Sequence, residues 1–288
     1  IINSAYTRAA HIYNLGRIYY NLRNEKFDII HFLQYDNTQL SYAVLGKLIQ
    51  KAAAGVVMTL HRDVFLNQPV KSWFYYLSRN VTSSCMNMSF SISSIDYITV
   101  HTSSIKHRIL GGVASANHSN VGVLPAPTPE PIQNISTTAA RERVNIDTDT
   151  HVILFFGQIR HEKGLDRLFA ALQGSEVKLT LVIAGNPKDY SQDQIATWAQ
   201  QTPDSVSVDM RCKYIPEGVV DIYLSAADAL VLPYRRKVGI SGPLRRAASV
   251  GTPGIVPAKS DIGEIVRRHN IGVTFDSDSE LLNILSNV

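Results

Sequence analysis

Short, largely apolar runs alternate with stretches of helical spacing from one end of this chain to the other. In the first half, Phe27–Leu33, Gly55–His61, Ile95–His101 and Val121–Leu124 predict strands. Ile12, Leu15, Ile18, Tyr19 and Leu22 recur at helical spacing and predict a helix over 9–23. Further helices are expected over roughly 39–52 and from Ser103 onward. In the second half the strands are Val152–Phe156, Leu179–Ala184, Ser205–Asp209, Ala229–Pro233, Gly254–Val256 and Gly272–Phe275. Helices starting at Leu165, near 191, at Pro216, near Gly242 and at Ile262 fill the gaps. Val152–Phe156 has no polar interruption, as a strand buried on both faces requires. Strands separated by helices of this length call for parallel sheets covered on both sides, so the fold class is α/β.

The pattern breaks once. Pro125–Pro131 carries four prolines in seven residues, which favours an extended connector and forbids a helix. Polar residues continue to about 150. The expected organisation is a first Rossmann-like domain over 1–124, a proline-rich linker over 125–150 and a second Rossmann-like domain over 151–288. Ile1 is not a Met, and the final pattern Leu281–Leu285 breaks off inside a helix-like run. The sequence therefore reads as a fragment whose first domain is incomplete.

Composition narrows the class. With 45% hydrophobic and 18% charged residues, the 288-residue chain is globular and long enough for two cores. A net charge of +4 hints at anionic ligands or an acidic membrane surface, and no Lys/Arg block is dense enough for nucleic acid. Cys85 and Cys212 lack metal-ligand spacing and read as free thiols in a reducing cytosol. No apolar run reaches the ~18 residues of a membrane span. The aromatic, weakly basic segment Val70–Arg79 reads as a helix packed across a domain face, or as a surface touching membrane or a lipid-linked acceptor.

Three places could carry chemistry. Gly157 ends the first strand of the second half, and Arg160 and Lys163 follow just before Gly164 and an amphipathic helix. Two cations between a strand's C-terminal end and a helix N-terminus make either an ordinary solvated loop or an anion site suited to a diphosphate. The second place is Leu232–Ala247, where Arg235-Arg-Lys237 leave a strand and Gly239, Ser241 and Gly242 lead into a helix with Pro243 and Leu244 in its first turn. Small residues there admit a ligand to the backbone N–H groups; Ser241 is equally an ordinary N-cap. Both places belong to one domain and could converge on one diphosphate. The third is His61, at a strand end with Arg62 and Asp63 behind it, which is either structural or faces a cleft. His31 and His101 end strands in the same way.

These residues match a known pattern. Phe27-Asp-Ile-Ile-His31, Thr59-Leu-His61, Phe156–Gly164, Tyr214-Ile-Pro216, Ala226-Ala-Asp228 with Leu232-Pro-Tyr234, and Gly251-Thr-Pro253 make the chain resemble GT-B glycosyltransferases, most closely glycosyltransferase family 4. The resemblance implies two Rossmann-like domains facing a cleft and a nucleotide sugar held mainly by the second. Arg160 and Lys163 would hold the donor diphosphate and stabilise the departing charge, with backbone around Ser241-Gly242 adding N–H groups. His61 would lie beside the transferred sugar, and Tyr214 and Ile215 would border the base. No metal and no separate cofactor are implied. The family's two glutamates, eight apart, fall on Val238 and Arg246 here, so their contacts to the sugar and to the ribose hydroxyls are unassigned.

The expectation is a glycosyltransferase that moves a sugar from a UDP- or GDP-linked donor to a glycan, lipid-linked or protein acceptor, as in polysaccharide biosynthesis. It would be retaining, metal-independent and cytoplasmic, with contact at the inner membrane face open. The alternatives are a nucleotide-sugar 2-epimerase on the same fold and a non-catalytic sugar-nucleotide-binding subunit.

Overall fold

A computed structural model describes residues 13–33, 39–61, 84, 87–88, 95–113, 116, 119–132, 134–146, 149–235 and 239–287. Residues 9–12 of the first expected helix, Arg62 and Asp63, the segment Val70–Arg79, Cys85, and Arg236, Lys237 and Val238 lie outside them. The chain divides into two compact units, Ile1–Ala126 and Pro127–Val288.

The first unit holds a four-stranded sheet in the order β1-β2-β3-β4, formed by Phe27–Phe32, Ala53–Leu60, Tyr97–Val100 and Val121–Val123. Every pairing is parallel. Residues 13–22 are helical, and helices α1 (Gln39–Gln50) and α2 (Ser103–Gly112) follow β1 and β3. Their apolar stripes bury Leu15, Tyr42, Ile49, Ile105 and Ile109 against Met58, Ile98 and Val100. Thr102 caps α2 by accepting the Ile105 N–H at 3.2 Å.

The second unit has six strands in the order β10-β9-β8-β5-β6-β7. They are β5 (His151–Phe156), β6 (Leu179–Ala184), β7 (Val206–Arg211), β8 (Ala229–Val231), β9 (Gly254–Pro257) and β10 (Gly272–Phe275), again all parallel. Successive strand residues face opposite sides, and the core divides accordingly. Val152, Leu154 and Leu230 join one cluster with α3 (Thr137–Val144), α6 (Glu217–Ala226), α7 (Gly242–Ser249) and α8 (Asp261–His269). Ile153, Phe155 and Val231 join the other with α4 (Leu165–Leu172), α5 (Gln192–Gln200) and α9 (Asp278–Leu285).

Helix α3 lies inside the stretch read as linker. Ser136 caps it, and Asn145 closes it in the left-handed region at φ 52°. Its sequence is mostly polar, so helical periodicity hardly shows. What anchors it is Arg141, whose Nε donates to the Ala226 carbonyl at 2.9 Å and whose Nη2 pairs with Asp228 at 2.7 Å.

The strand order matters for chemistry. From β5 the chain steps outward through β6 and β7, then returns to β8 on the other side and continues to β10. The direction therefore reverses between β5 and β8, and in open parallel sheets that point opens a crevice at the C-terminal strand ends.

Candidate active site

Both loops singled out from the sequence leave the sheet at this reversal, one after β5 and one after β8. The β5 loop is a tight backbone structure. Gly157 has φ +118°, and its carbonyl lies so close to Gly185 that a Cβ on Gly185 would sit 1.8 Å from it. Gly157 N–H donates to the Ala184 carbonyl and Ile159 N–H to that of Asn186, each at 3.0 Å. Asp189 accepts the His161 N–H at 2.9 Å. A single 3-10 turn, His161–Lys163, ends at Gly164 with φ 74°, and α4 begins.

The β8 loop is clamped onto it. A Cβ on Gly164 would meet the Pro233 carbonyl oxygen at 2.2 Å, so only glycine lets the two backbones touch. Arg235 N–H donates to the Glu162 carbonyl at 3.0 Å, and Nη1 of Arg235 to the His161 carbonyl at 3.2 Å. The guanidinium also forks onto Asp166, in the first turn of α4, at 2.6 and 2.8 Å. Burial alone would raise the Asp166 carboxyl, but Arg235 holds it below the ordinary carboxylate range. Tyr190 beside it is pushed up to about 12 by burial and by the Asp166 charge. Among the described residues, the Tyr190 hydroxyl has no hydrogen-bond partner of standard geometry.

Lys163 stands over the Tyr234 ring, with Nζ 3.8 Å from the centroid. The buried Tyr234 hydroxyl reaches the Ser241 hydroxyl at 3.4 Å, and Ser241 caps α7 by accepting the Leu244 N–H at 3.4 Å. Pro243 closes the circuit, because a Cβ on Gly157 would sit 3.7 Å from its ring. Gly157, Lys163, Ser241, Gly242, Pro243 and Leu244 thus gather at one end of the sheet. Among the described residues, nothing lies within 4 Å of where a Cβ on Gly242 would sit. Arg160, the residue before the 3-10 turn, has its side chain 47% exposed and donates to Gln158 of the same loop. The arrangement offers two cations and a helix N-terminus to an anion.

The remaining candidates in this unit differ in exposure. Tyr214 is 73% exposed, whereas Ile215 is packed into the core with its neighbour Val220. Arg246, where a family glutamate would stand, is bound to two carboxylates: Nε donates to Asp221 at 2.5 Å, and Nη1 pairs with Glu217.

In the first unit, His61 follows β2 with both ring nitrogens engaged. Nε2 donates to the Leu33 carbonyl at 2.7 Å, and Nδ1 lies 2.8 Å from His101 Nε2. His101 donates from Nδ1 to the Leu124 carbonyl at 2.9 Å. His101, read from the sequence only as another strand-end histidine, is the partner that orients His61. Sequence reasoning also missed Asp166 and Tyr190, which carry no spacing signal, while Arg235 was visible only as one of three consecutive cations.

Two of the motif residues have structural work instead. Asp228 accepts the Val152 N–H at 2.7 Å at the start of β5 and neutralises Arg141. Thr252 donates to the Leu224 carbonyl at 2.7 Å near the end of α6. Among the described residues, no three His, Cys, Asp or Glu side chains group as metal ligands would.

Two parallel α/β sheets, with the second built in Rossmann order around paired loops, define a GT-B type fold. The family described as Glycosyl transferases group 1 matches residues 136–283, and the chain belongs to it. It is a glycosyltransferase. A search of curated proteins found no match. Among solved structures it is similar to Anabaena HepE in complex with UDP and glucose, with 15% identity and a TM-score of 0.67 over 95% of this chain and 71% of that one. It is similar to sucrose-phosphate synthase from Thermosynechococcus elongatus, with 20% identity and a TM-score of 0.67 over 90% and 64% of the two chains. WaaG, a glycosyltransferase involved in lipopolysaccharide biosynthesis, gives 16% identity and a TM-score of 0.62 over 86% and 72%. At these identities the likeness shows the shared fold.

Proposed function

We propose that this glycosyltransferase takes a nucleoside-diphosphate sugar, UDP- or GDP-linked, and passes the sugar to a glycan, lipid-linked or protein acceptor. The observation that carries the reading is the convergence of the β5 and β8 loops at the point where strand order reverses. There Lys163 is held over Tyr234, and Ser241-Gly242 opens a helix N-terminus beside Gly157.

In this reading Arg160 and Lys163 bind the diphosphate and stabilise the negative charge that grows on it as the glycosidic bond breaks. Because these cations supply the positive charge, the transfer needs no metal ion. Backbone N–H groups at the start of α7 add donors that require no rearrangement. Tyr214 stacks on the base from its exposed position, with Ile215 fixing the loop behind it. His61, its ring held by Leu33 and His101, is the first unit's candidate for a part in the transfer step. Retention at the anomeric carbon and action in the cytoplasm, or at the inner face of a membrane, belong to the same reading. HepE with bound UDP and glucose, and WaaG in lipopolysaccharide assembly, are in keeping with it.

A thermal-shift screen of nucleoside diphosphates tests the donor class. UDP or GDP at a hundredfold excess over its dissociation constant stabilises the chain by about 2.7 kcal/mol, a rise of several degrees, while nucleosides do not. A melting point indifferent to every diphosphate refutes the reading.

A further inference from the structure

Helices α6 and α7 hold a charged group that the donor site described so far leaves unused. Arg246 lies four residues past Gly242 on α7, about 6 Å along the helix axis. Its side chain is 12% exposed. On the inner side it donates to Asp221, which is 1% exposed and whose other oxygen accepts the Ile132 N–H at 2.7 Å. On the outer side it pairs with the Glu217 carboxylate and donates from Nη2 to the Glu217 carbonyl at 3.1 Å.

The two carboxylates have different parts. Asp221 fixes the guanidinium in place. Glu217 remains 72% exposed, yet its carboxylate is tied to a fixed partner. A surface glutamate ordinarily loses rotamer freedom when it engages a ligand, on the order of 1 kcal/mol, and here that ordering is done beforehand. The Asp166, Asp189 and Asp209 carboxylates of this unit are bound to Arg235, the His161 N–H and Arg211.

Position decides what Glu217 can serve. It opens α6 directly after Tyr214-Ile-Pro216, and Arg246 ties it to α7, the helix whose first turn is proposed above to meet the diphosphate. A nucleotide lying from that loop to that helix turn has its ribose in the middle. The adjacent 2′- and 3′-hydroxyls are two donors, and a carboxylate presents two acceptor oxygens. The same geometry accounts for the arginine at 246: a carboxylate there would face Asp221, whereas the arginine joins the two helices and moves the exposed acceptor onto α6.

We propose that Glu217, positioned by Arg246 and Asp221, accepts hydrogen bonds from the ribose hydroxyls of the donor nucleotide. This rests on the reading that the second unit binds a nucleoside diphosphate. Calorimetry on the full chain with UDP and GDP, each beside its 2′,3′-dideoxy counterpart, tests it in the wild type, Glu217→Ala and Glu217→Gln. The wild type favours the ribonucleotide by about tenfold or more, the range for hydrogen bonds to a charged group. Glu217→Ala loses about that factor for the ribonucleotide alone, so the preference disappears, and Glu217→Gln falls between. An equal loss for both nucleotides, or an undiminished preference, overturns the proposal while the donor site stands. No binding of any diphosphate to the wild type removes the donor reading and this one together. Thermal melts of the variants matching the wild type separate either result from misfolding.

Discussion

The C-terminal strand ends of the two sheets are built from different chemistry. In the second unit they are tied by charge and by backbone packed too closely for any side chain: Arg235 on Asp166, Lys163 over Tyr234, Gly164 against Pro233. In the first unit they are tied by histidines and threonines. His31 meets Thr59 at 2.8 Å and Thr59 meets Thr99 at 2.7 Å, while His61 stacks on His101 with centroids 4.8 Å apart. The charged rim suits an anion, because its loops are fixed beforehand and hold Lys163 and the half-exposed Arg160 near a helix N-terminus. The histidine rim is built instead from ring nitrogens and hydroxyls that engage one another and backbone carbonyls. What it supplies is orientation, since both nitrogens of His61 are engaged and its ring cannot turn freely.

Altering each rim at its own weak point separates the two. The largest effect is expected at Gly185, where a methyl group would strike the Gly157 carbonyl and the backbone sits at φ +149°. Gly185→Ala therefore costs on the order of 3 kcal/mol, read as a lower urea midpoint for the second unit; an unmoved midpoint removes the claim that the β5 loop is sterically fixed. Next comes His61→Ala. If the histidine rim positions the transferred sugar, turnover falls roughly a hundredfold while donor affinity barely changes. Equal losses in both would take His61 out of the chemistry.

The smallest effect is a pH dependence of the clamp. Arg235 holds Asp166 below the ordinary carboxylate range. A carboxyl with a lowered folded value contributes stability above its unfolded value, about 3.9, and loses it as pH falls through the folded one. The pair is partly exposed, so its contribution is about 1 kcal/mol. The gap in melting temperature between the wild type and Asp166→Asn should hold steady from neutral pH to about 5 and close toward pH 3. A gap independent of pH would mean that the carboxylate charge is not what joins the loops.

Much of the fold was legible because short apolar runs between helical stretches mark parallel strands, most plainly in the central β5 and β6, which are buried on both faces. Leu179–Ala184 and Gly272–Phe275 have the bounds expected of them, and Val152–Phe156 gains only His151. Helix α3 was not legible, since a polar helix anchored by one arginine shows little periodicity. The two loops of the site were legible as glycines and cations following strands. Their convergence was not, because it depends on which strands become neighbours, and the paired residues of β5 and β8, Ile153 with Ala229 and Leu154 with Leu230, are 76 positions apart. The same reason hid Asp166 behind Arg235, His101 behind His61, and Glu217 behind Arg246. Each is a long-range partner of a residue whose own type had already drawn attention.

The central claim is that Arg160 and Lys163 on one loop, together with the Ser241-Gly242 turn on the other, hold a diphosphate. The most direct test is titration calorimetry of UDP and GDP against the wild type and the Arg160→Ala/Lys163→Ala double variant. Two charge-assisted contacts are removed together, so the account predicts a loss of about a hundredfold or more in affinity. Nucleoside diphosphate binding that is unchanged in the double variant contradicts it.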